Sequence, residues 1–126
     1  MTDANDPIDV ARRFIDALNV ADEAGVRAVY HPSARIWHNF DDKVQTVDEN
    51  IETMKFVHGK LKNLNYDVTR RIAFPDGFVQ QHILRGTLAS GDPFALHACA
   101  ICQVENGRIT ELEEYLDTAQ ARALFA

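Results

Sequence analysis

Residues 94–104 read FALHACAICQV, and Glu105-Asn106-Gly107 joins them to residues 108–116, RITELEEYL. Two extended segments joined by Asn-Gly are typical of a β-hairpin, because both central positions of a type I′ turn need a positive φ. The first segment is apolar or small on both faces, although an antiparallel sheet usually leaves one face in water. We therefore expect helices to cover one face and a second copy of the chain to cover the other. This pattern predicts a homodimer formed through the sheet.

Two further extended segments precede this hairpin. Residues 64–74 and 78–88 are separated by Pro75-Asp76-Gly77, and Ser90-Gly91-Asp92-Pro93 stands before 94–104. Clusters of Gly, Pro, Asp and Ser between apolar runs are typical of turns between strands. Together with the hairpin, these segments predict a four-strand meander.

The N-terminal part of the chain carries helical patterns instead. Asp6-Pro7 supplies a capping side chain and a proline for the first helical position, which predicts a first helix over 7–19. Asp22 can cap a short second helix, which His31-Pro32 ends because the residue before a proline avoids helical backbone.

A third helix is predicted over 47–61, since Thr46 and Glu49 have the spacing of a capping box. Residues 34–40 form a short strand candidate between the second and third helices. Asp117 can cap a closing helical turn or serve as a base, and we favour the cap. Helices gathered at one end of a chain and strands at the other indicate an α+β fold.

Composition excludes several classes of function. The chain has 126 residues, 46% of them hydrophobic and 25% charged, which predicts one globular domain over 1–126. The net charge is −6, so we expect neither a nucleic-acid partner nor an anionic membrane, because both need a basic surface. The start of the chain is polar and acidic, and no apolar run approaches the ~20 residues of a membrane span. We therefore expect a cytoplasmic protein.

Cys99 and Cys102 have the spacing of a redox pair or of half a zinc site. Both lie in the predicted strand 94–104, where residues three apart point to opposite faces. We therefore interpret them as two reduced core residues that hold no metal.

The layout as a whole resembles the NTF2-like superfamily, which includes ketosteroid isomerases, limonene epoxide hydrolases, scytalone dehydratases and SnoaL-like polyketide cyclases. The resemblance covers nearly the whole chain and depends most on FIDALN at 14–19, ARIWHN at 34–39, and GRI at 107–109 followed by EEYLD at 113–117. It implies a cystatin-like conical fold, in which three N-terminal helices pack on a curved antiparallel sheet. It also implies a cavity between the helices and the sheet, with homodimers common.

The resemblance implies two candidate catalytic residues. His38 stands where ketosteroid isomerases carry their carboxylate base, and a histidine needs little tuning to accept a proton near pH 7. Glu114 matches a carboxylate position of limonene epoxide hydrolases and has Leu112 and Leu116 on its own face of the strand. Alternatively, His38 is a structural histidine that hydrogen-bonds to a backbone group, and Glu114 is a solvated glutamate in an acidic run.

The register of 78–88 leaves the third catalytic candidate open. A loop of two or four residues at Ser90-Gly91-Asp92 places Arg85 on the cavity side, where it can pair with Glu114. A loop of three residues, or a bulge, places His82 there instead, together with Gln80 and Leu84. We name His82 as catalytic and Arg85 as substrate-binding, with the choice between them open.

Apolar residues are expected to form the wall that binds the substrate: Phe14, Leu18, Ile36, Cys102, Leu112 and Leu116. Phe14 and Ala100 replace the tyrosine and aspartate with which ketosteroid isomerases stabilise an enolate. The positions that match the arginine and aspartate of the epoxide hydrolases lie near Ile83 and Arg85, so this chain lacks that Arg-x-Asp pair. The chain therefore departs from both of these reactions.

The predicted function is that of a cofactor-free acid/base enzyme, an isomerase, dehydratase or cyclase, acting on a small hydrophobic or aromatic carbonyl compound. The alternatives are a module that binds a small molecule without catalysis and, less in keeping with the pattern, an interaction domain. An enzyme needs two titratable groups that converge on one ligand atom, whereas a binding module needs one polar anchor.

Overall fold

The computed structural model describes residues 5–125. Four α-helices and six strands follow one another in the order α1 Pro7–Asn19, α2 Glu23–Val29, β1 Tyr30–His38, β2 Val44–Gln45, α3 Val47–Lys60, β3 Lys62–Phe74, β4 Gly77–Thr87, β5 Pro93–Glu105, β6 Arg108–Leu116 and α4 Thr118–Ala121. A single 3-10 turn, Arg122–Phe125, follows α4. The predicted α+β fold is confirmed.

The predicted helix starts agree with the structure because local side chains determine them. Asp6 accepts from the backbone of Ile8 ahead of α1, and Asp22 accepts from Gly25 ahead of α2. Thr46 and Glu49 form both bonds of the capping box at α3. Asp117 likewise caps α4, which is the role that the sequence favoured for it.

The six strands form one curved sheet in the order β2-β1-β6-β5-β4-β3. β3 to β6 form the expected antiparallel meander, while β1 lies beside β6 and runs parallel to it. This pairing joins the first long strand to the last one. It therefore places side chains from the two ends of the chain next to each other.

The turn between β5 and β6 agrees with the Asn-Gly signal. Asn106 and Gly107 have φ values of 50° and 77°, and Glu105 pairs with Arg108 across the turn. Two positive φ values at the centre of a two-residue loop define a type I′ turn, which only residues such as Asn and Gly adopt at low cost.

The loop between β4 and β5 determines which face of β4 is buried. Thr87 pairs with Pro93, so residues 88–92, an odd number, separate the strands. His82 is therefore the partner of Ala98, and directly paired residues share a face. The alternative with His82 inward is correct, and the alternative with Arg85 inward is wrong.

The three N-terminal helices cover the inner face of the sheet. The main apolar cluster joins α1, α2 and α3 to inner-face residues such as Phe78, Cys102 and Leu112. A second cluster lies around Leu84 and Leu96 and includes Ala121 and Leu124 beyond the last strand. A cavity remains between the two clusters.

Within residues 5–125, no helix has the length and apolar character that crossing a membrane requires.

Cys99 and Cys102 are both free thiols, with Cys99 half-buried and Cys102 buried. Burial raises the pKa of the Cys102 thiol, which lowers its reactivity because the thiolate is the nucleophile. We expect a thiol reagent to titrate two cysteines in unfolded protein without reductant and at most one in native protein. Titration of fewer than two thiols after unfolding, or tightly bound zinc, would contradict this.

Candidate active site

His38 and Glu114 meet inside the cavity. They are direct partners in the parallel pairing of β1 and β6, and both side chains line the cavity. His38 Nε2 lies 3.3 Å from Glu114 Oε1, and the two side chains are 18% and 17% exposed. Asn39 strengthens the pairing beside them, because its side-chain amide bonds both the N–H and the C=O of Leu116.

His82 approaches the same carboxylate from β4. Its Nε2 lies 3.4 Å from Glu114 Oε2, and its side chain is 5% exposed. The ring packs edge-on against Tyr66 of β3, with 5.4 Å between the ring centroids. One carboxylate therefore lies between two imidazoles, and we call His38, His82 and Glu114 the histidine–glutamate cluster.

The two histidines determine the charge of this cluster. Burial alone would raise the pKa of Glu114, but hydrogen bonds from His38 and His82 and their positive charge hold it well below its usual range. Burial likewise opposes protonation of His38, but the hydrogen bond and charge of Glu114 raise the pKa of His38 above its ordinary value. The carboxylate is thus ionised at neutral pH, and His38 is a stronger base than a free imidazole.

The cavity has a volume of about 490 Å³. Its wall includes five of the predicted apolar residues: Phe14, Leu18, Cys102, Leu112 and Leu116. Three partly exposed phenylalanines, Phe40, Phe56 and Phe125, also line it. Phe125 stacks on both of the others, at centroid distances of 5.1 and 5.3 Å. The cavity therefore meets solvent beside aromatic rings, and His38, His82 and Glu114 are less exposed than these rings.

A polar chain runs through one side of the wall. The Tyr30 hydroxyl donates to Asn50 Oδ1 at 3.0 Å, Asn50 Nδ2 donates to Gln45 Oε1, and Gln45 Nε2 donates to Thr53. Burial raises the pKa of Tyr30 well above its usual value. Tyr30 is therefore a neutral hydrogen-bonding residue rather than a base.

Two residues predicted to bind the substrate lie elsewhere. Arg85 is on the outer face of the sheet, half exposed, where its Nε bonds Asp67 Oδ2 at 3.1 Å. Ile36 is fully buried in the main apolar cluster and does not reach the cavity wall, because the helices pack over its part of β1. Trp37 packs against Tyr115 on the outer face.

Gln80, Tyr66 and Arg71 are neighbours of the site that the sequence did not assign to it. Gln80 appeared only as a possible inward residue of β4, and it becomes identifiable once the register is known. Tyr66 and Arg71 lie on β3, where a bulge between Val68 and Arg70 shifts the alternation of faces. No pattern in the sequence marks that bulge.

Residues 5–125 contain no group of three or more His, Cys, Asp or Glu side chains placed to hold a metal ion. A carboxylate flanked by imidazoles in an apolar cavity can move a proton to or from a bound molecule.

The helices and the curved sheet have the NTF2-like fold. The family model described as SnoaL-like domain matches residues 11–112, and the chain belongs to this family. The resemblance inferred from the sequence is therefore confirmed. A comparison with curated proteins gives no match.

Several solved structures share the fold. IdmH from Streptomyces antibioticus, a proposed polyketide cyclase, has a TM-score of 0.85 at 18% identity, covering 94% of this chain and 97% of that one. An NTF2-like protein of unknown function from Burkholderia pseudomallei has a TM-score of 0.81 at 22% identity, covering 98% of both chains. AclR from Streptomyces galilaeus, a proposed hydroxylase, has a TM-score of 0.81 at 13% identity, covering 92% and 81%. At these identities the likeness establishes the fold alone.

Proposed function

We propose that the protein is a cofactor-free acid/base enzyme that moves a proton next to the carbonyl group of a small hydrophobic or aromatic compound. The observation that carries this proposal is the placement of two imidazoles on one half-buried carboxylate inside an apolar cavity. Such a cluster provides a base and a fixed counter-charge beside a bound carbonyl compound. The isomerase, dehydratase and cyclase reactions all include this step.

In the proposed mechanism, His38 is the base. Its Nε2 faces Glu114, which leaves Nδ1 to accept the proton. The C–H bond next to the carbonyl breaks, its electron pair moves into the enolate, and the proton forms a new bond to His38 Nδ1. Glu114 stays ionised and stabilises the imidazolium that results. His38 then returns the proton to carbon or oxygen, which restores the neutral ring.

The size and lining of the cavity support the proposed substrate class. A volume of about 490 Å³ lies in the range of small-molecule sites. The apolar wall and the phenylalanines at its edge favour flat, apolar rings over charged metabolites. Relatives proposed to be polyketide cyclases fit the same class of substrate.

The experiment uses 2-tetralone, an aromatic ketone with acidic protons beside its carbonyl, in deuterated buffer. We expect the protein to accelerate deuterium incorporation above the buffer rate, as followed by proton NMR. Saturation-transfer NMR on the same sample reports binding independently. Binding without accelerated exchange would contradict the enzyme proposal and support the binding module. If the protein neither binds 2-tetralone nor accelerates its exchange, the proposed substrate class is wrong.

The binding-module alternative has one observation in its favour. Glu114 already has both histidines as partners, and a polar cluster satisfied in this way also stabilises a fold without catalysis. The exchange measurement distinguishes the two functions because only an enzyme changes the rate.

We also propose the homodimer expected from the sequence. On the outer face of the sheet, Val79, Ile83 and Ile101 are half-buried, and Val79 and Ile101 are direct partners. A second copy would cover these side chains, with ~1,200–2,000 Å² buried in total. The single domain over 1–126 and the cytoplasmic location stay predictions.

We expect sedimentation at micromolar concentration to give a dimer, and Ile101→Glu to give a folded monomer, because a carboxylate in an apolar interface is costly to desolvate. The matched control is Val20→Glu, an exposed apolar residue after α1, which should stay dimeric. A monomeric wild-type protein, or a dimeric Ile101→Glu variant, would show that the sheet is not the interface.

A further inference from the structure

Gln80 and His82 occupy adjacent inward positions of β4. They are 2% and 5% exposed and are the buried polar residues of the described part of the chain. Burying two polar side chains together is costly unless their polar atoms find partners. Within residues 5–125, every buried side-chain nitrogen and oxygen has one. The hydrogen-bond partners of Gln80 and His82 therefore indicate how these two side chains are oriented.

The partners form one continuous chain that ends at Glu114. Arg71 Nε donates to Gln80 Oε1 at 2.9 Å. The other amide atom, Gln80 Nε2, lies 3.3 Å from His82 Nδ1. On the far side of the ring, His82 Nε2 lies 3.4 Å from Glu114 Oε2. The chain thus links β3, β4 and β6, and its members Gln80, His82 and Glu114 line the cavity.

The two ends of this chain determine its direction. A guanidinium can only donate and an ionised carboxylate can only accept. Because Arg71 donates to the amide oxygen, the amide nitrogen faces His82, and that nitrogen can only donate. His82 Nδ1 must therefore accept, and the proton of the neutral ring is on Nε2, the nitrogen that faces Glu114.

We propose that Gln80, oriented by Arg71, is a positioning residue that holds His82 as the Nε2–H tautomer. A proton on Nδ1 would face the amide hydrogens of Gln80. Rotating the amide would relieve that conflict but would turn the same hydrogens toward Arg71 Nε–H. Arg71 thereby prevents the rotation, and the His82 ring keeps its proton directed at Glu114.

The catalytic consequence rests on the proposed function. A fixed donor on Glu114 Oε2 keeps the other oxygen, Oε1, toward His38. The two histidines then have different roles, because His82 is a constant donor and His38 is the imidazole that gains and loses the proton. Gln80 and Arg71 act through His82 and touch no reacting atom in this mechanism.

The test is the long-range proton–nitrogen NMR spectrum of the histidine rings in ¹⁵N-labelled protein at pH 8.5, with His82 assigned from the signals lost in His82→Gln. We expect the wild-type His82 pattern to be that of the Nε2–H tautomer. In Gln80→Glu, the new carboxylate accepts from both Arg71 and the ring, so Nδ1 should gain a proton. In the matched control Gln81→Glu, on the outer face of the same strand, the His82 pattern should stay unchanged.

A wild-type ring protonated on Nδ1 alone would overturn the proposal, and so would an unchanged His82 pattern in folded Gln80→Glu. The wild-type spectrum needs no variant, so the proposal stays testable if that variant fails to fold.

The rate of deuterium exchange into 2-tetralone should fall about tenfold in Gln80→Leu, with little change in KM. A loss of this size is typical when the removed residue orients a catalytic group without touching the substrate. If no variant or wild-type protein accelerates exchange, the proposed function fails while the tautomer result stands.

Discussion

Replacing His38 by glutamine is expected to lower the rate of deuterium exchange into 2-tetralone by ~10²-fold or more. Glutamine has no group that accepts a proton at neutral pH, so the proposed base is lost. The amide can still donate to Glu114, which keeps the carboxylate partnered. We expect the variant to fold, because His38 lines a cavity and is not packed on every side.

The matched control for this experiment is His31→Gln. His31 lies on the same strand, β1, but is exposed, so its replacement should leave the exchange rate unchanged. Circular dichroism on both variants establishes that the fold is retained. If His38→Gln keeps the wild-type rate while folded, His38 is not the base, and the mechanism proposed here is wrong.

The second large effect is expected for Glu114→Gln, which should also lower the exchange rate by ~10²-fold or more. A neutral amide cannot stabilise the imidazolium that forms on His38.

Glu114→Gln should also lower the free energy of unfolding by ~2 kcal/mol at pH 5.5, which is the size of the contribution that a hydrogen bond to a charged group makes. Urea unfolding at one fixed protein concentration measures this, because a dimer would make stability depend on concentration.

The stability effect of Glu114→Gln should depend on pH in a defined direction. The pKa of Glu114 is lowered from 4.5 in the folded chain, so its contribution is fully present above about pH 4.5 and is lost as the pH falls through the folded pKa. The pKa of His38 is raised from 6.5, so its contribution is fully present below about pH 6.5 and is lost as the pH rises through the folded pKa. The pair stabilises the fold most between these two values.

We therefore expect the difference in unfolding free energy between wild type and Glu114→Gln to be larger at pH 5.5 than at pH 8.5. Glu111→Gln is the matched control, since Glu111 is an exposed glutamate of the same strand, and its effect should be small at both pH values. A Glu114→Gln variant as stable as wild type at pH 5.5 would show that the ion pairs contribute nothing to the fold.

Much of the fold could be predicted because it depends on local contacts. Asp6, Asp22 and Thr46 cap the helices that follow them, and each needs only a backbone N–H two or three residues away. The Asn106-Gly107 turn depends in the same way on two backbone torsions. The short strand β2 was missed, because two residues carry no periodicity.

The candidate site was predictable only in part. His38 and Glu114 came from the family resemblance, and they meet because β1 and β6 pair in parallel. That pairing joins residues 76 positions apart, and no spacing along the chain indicates it. Ile36 was expected in the cavity because alternation reports which face of the strand a residue occupies but not whether a helix lies over it.

By itself, the sequence determined the order of the helices and of the five long strands, the helix-capping residues and the hairpin turn. Each of these depends on interactions between residues near one another in the chain. Only the tertiary structure decided that His82 and not Arg85 faces the cavity, because that choice depends on whether the loop after β4 has an odd or an even number of residues. It alone also placed Arg71 against Gln80, since a bulge in β3 sets that contact. A shift of one residue in β4 would exchange its two faces and remove the second imidazole from Glu114, and the same shift in β3 would turn Arg71 away from Gln80.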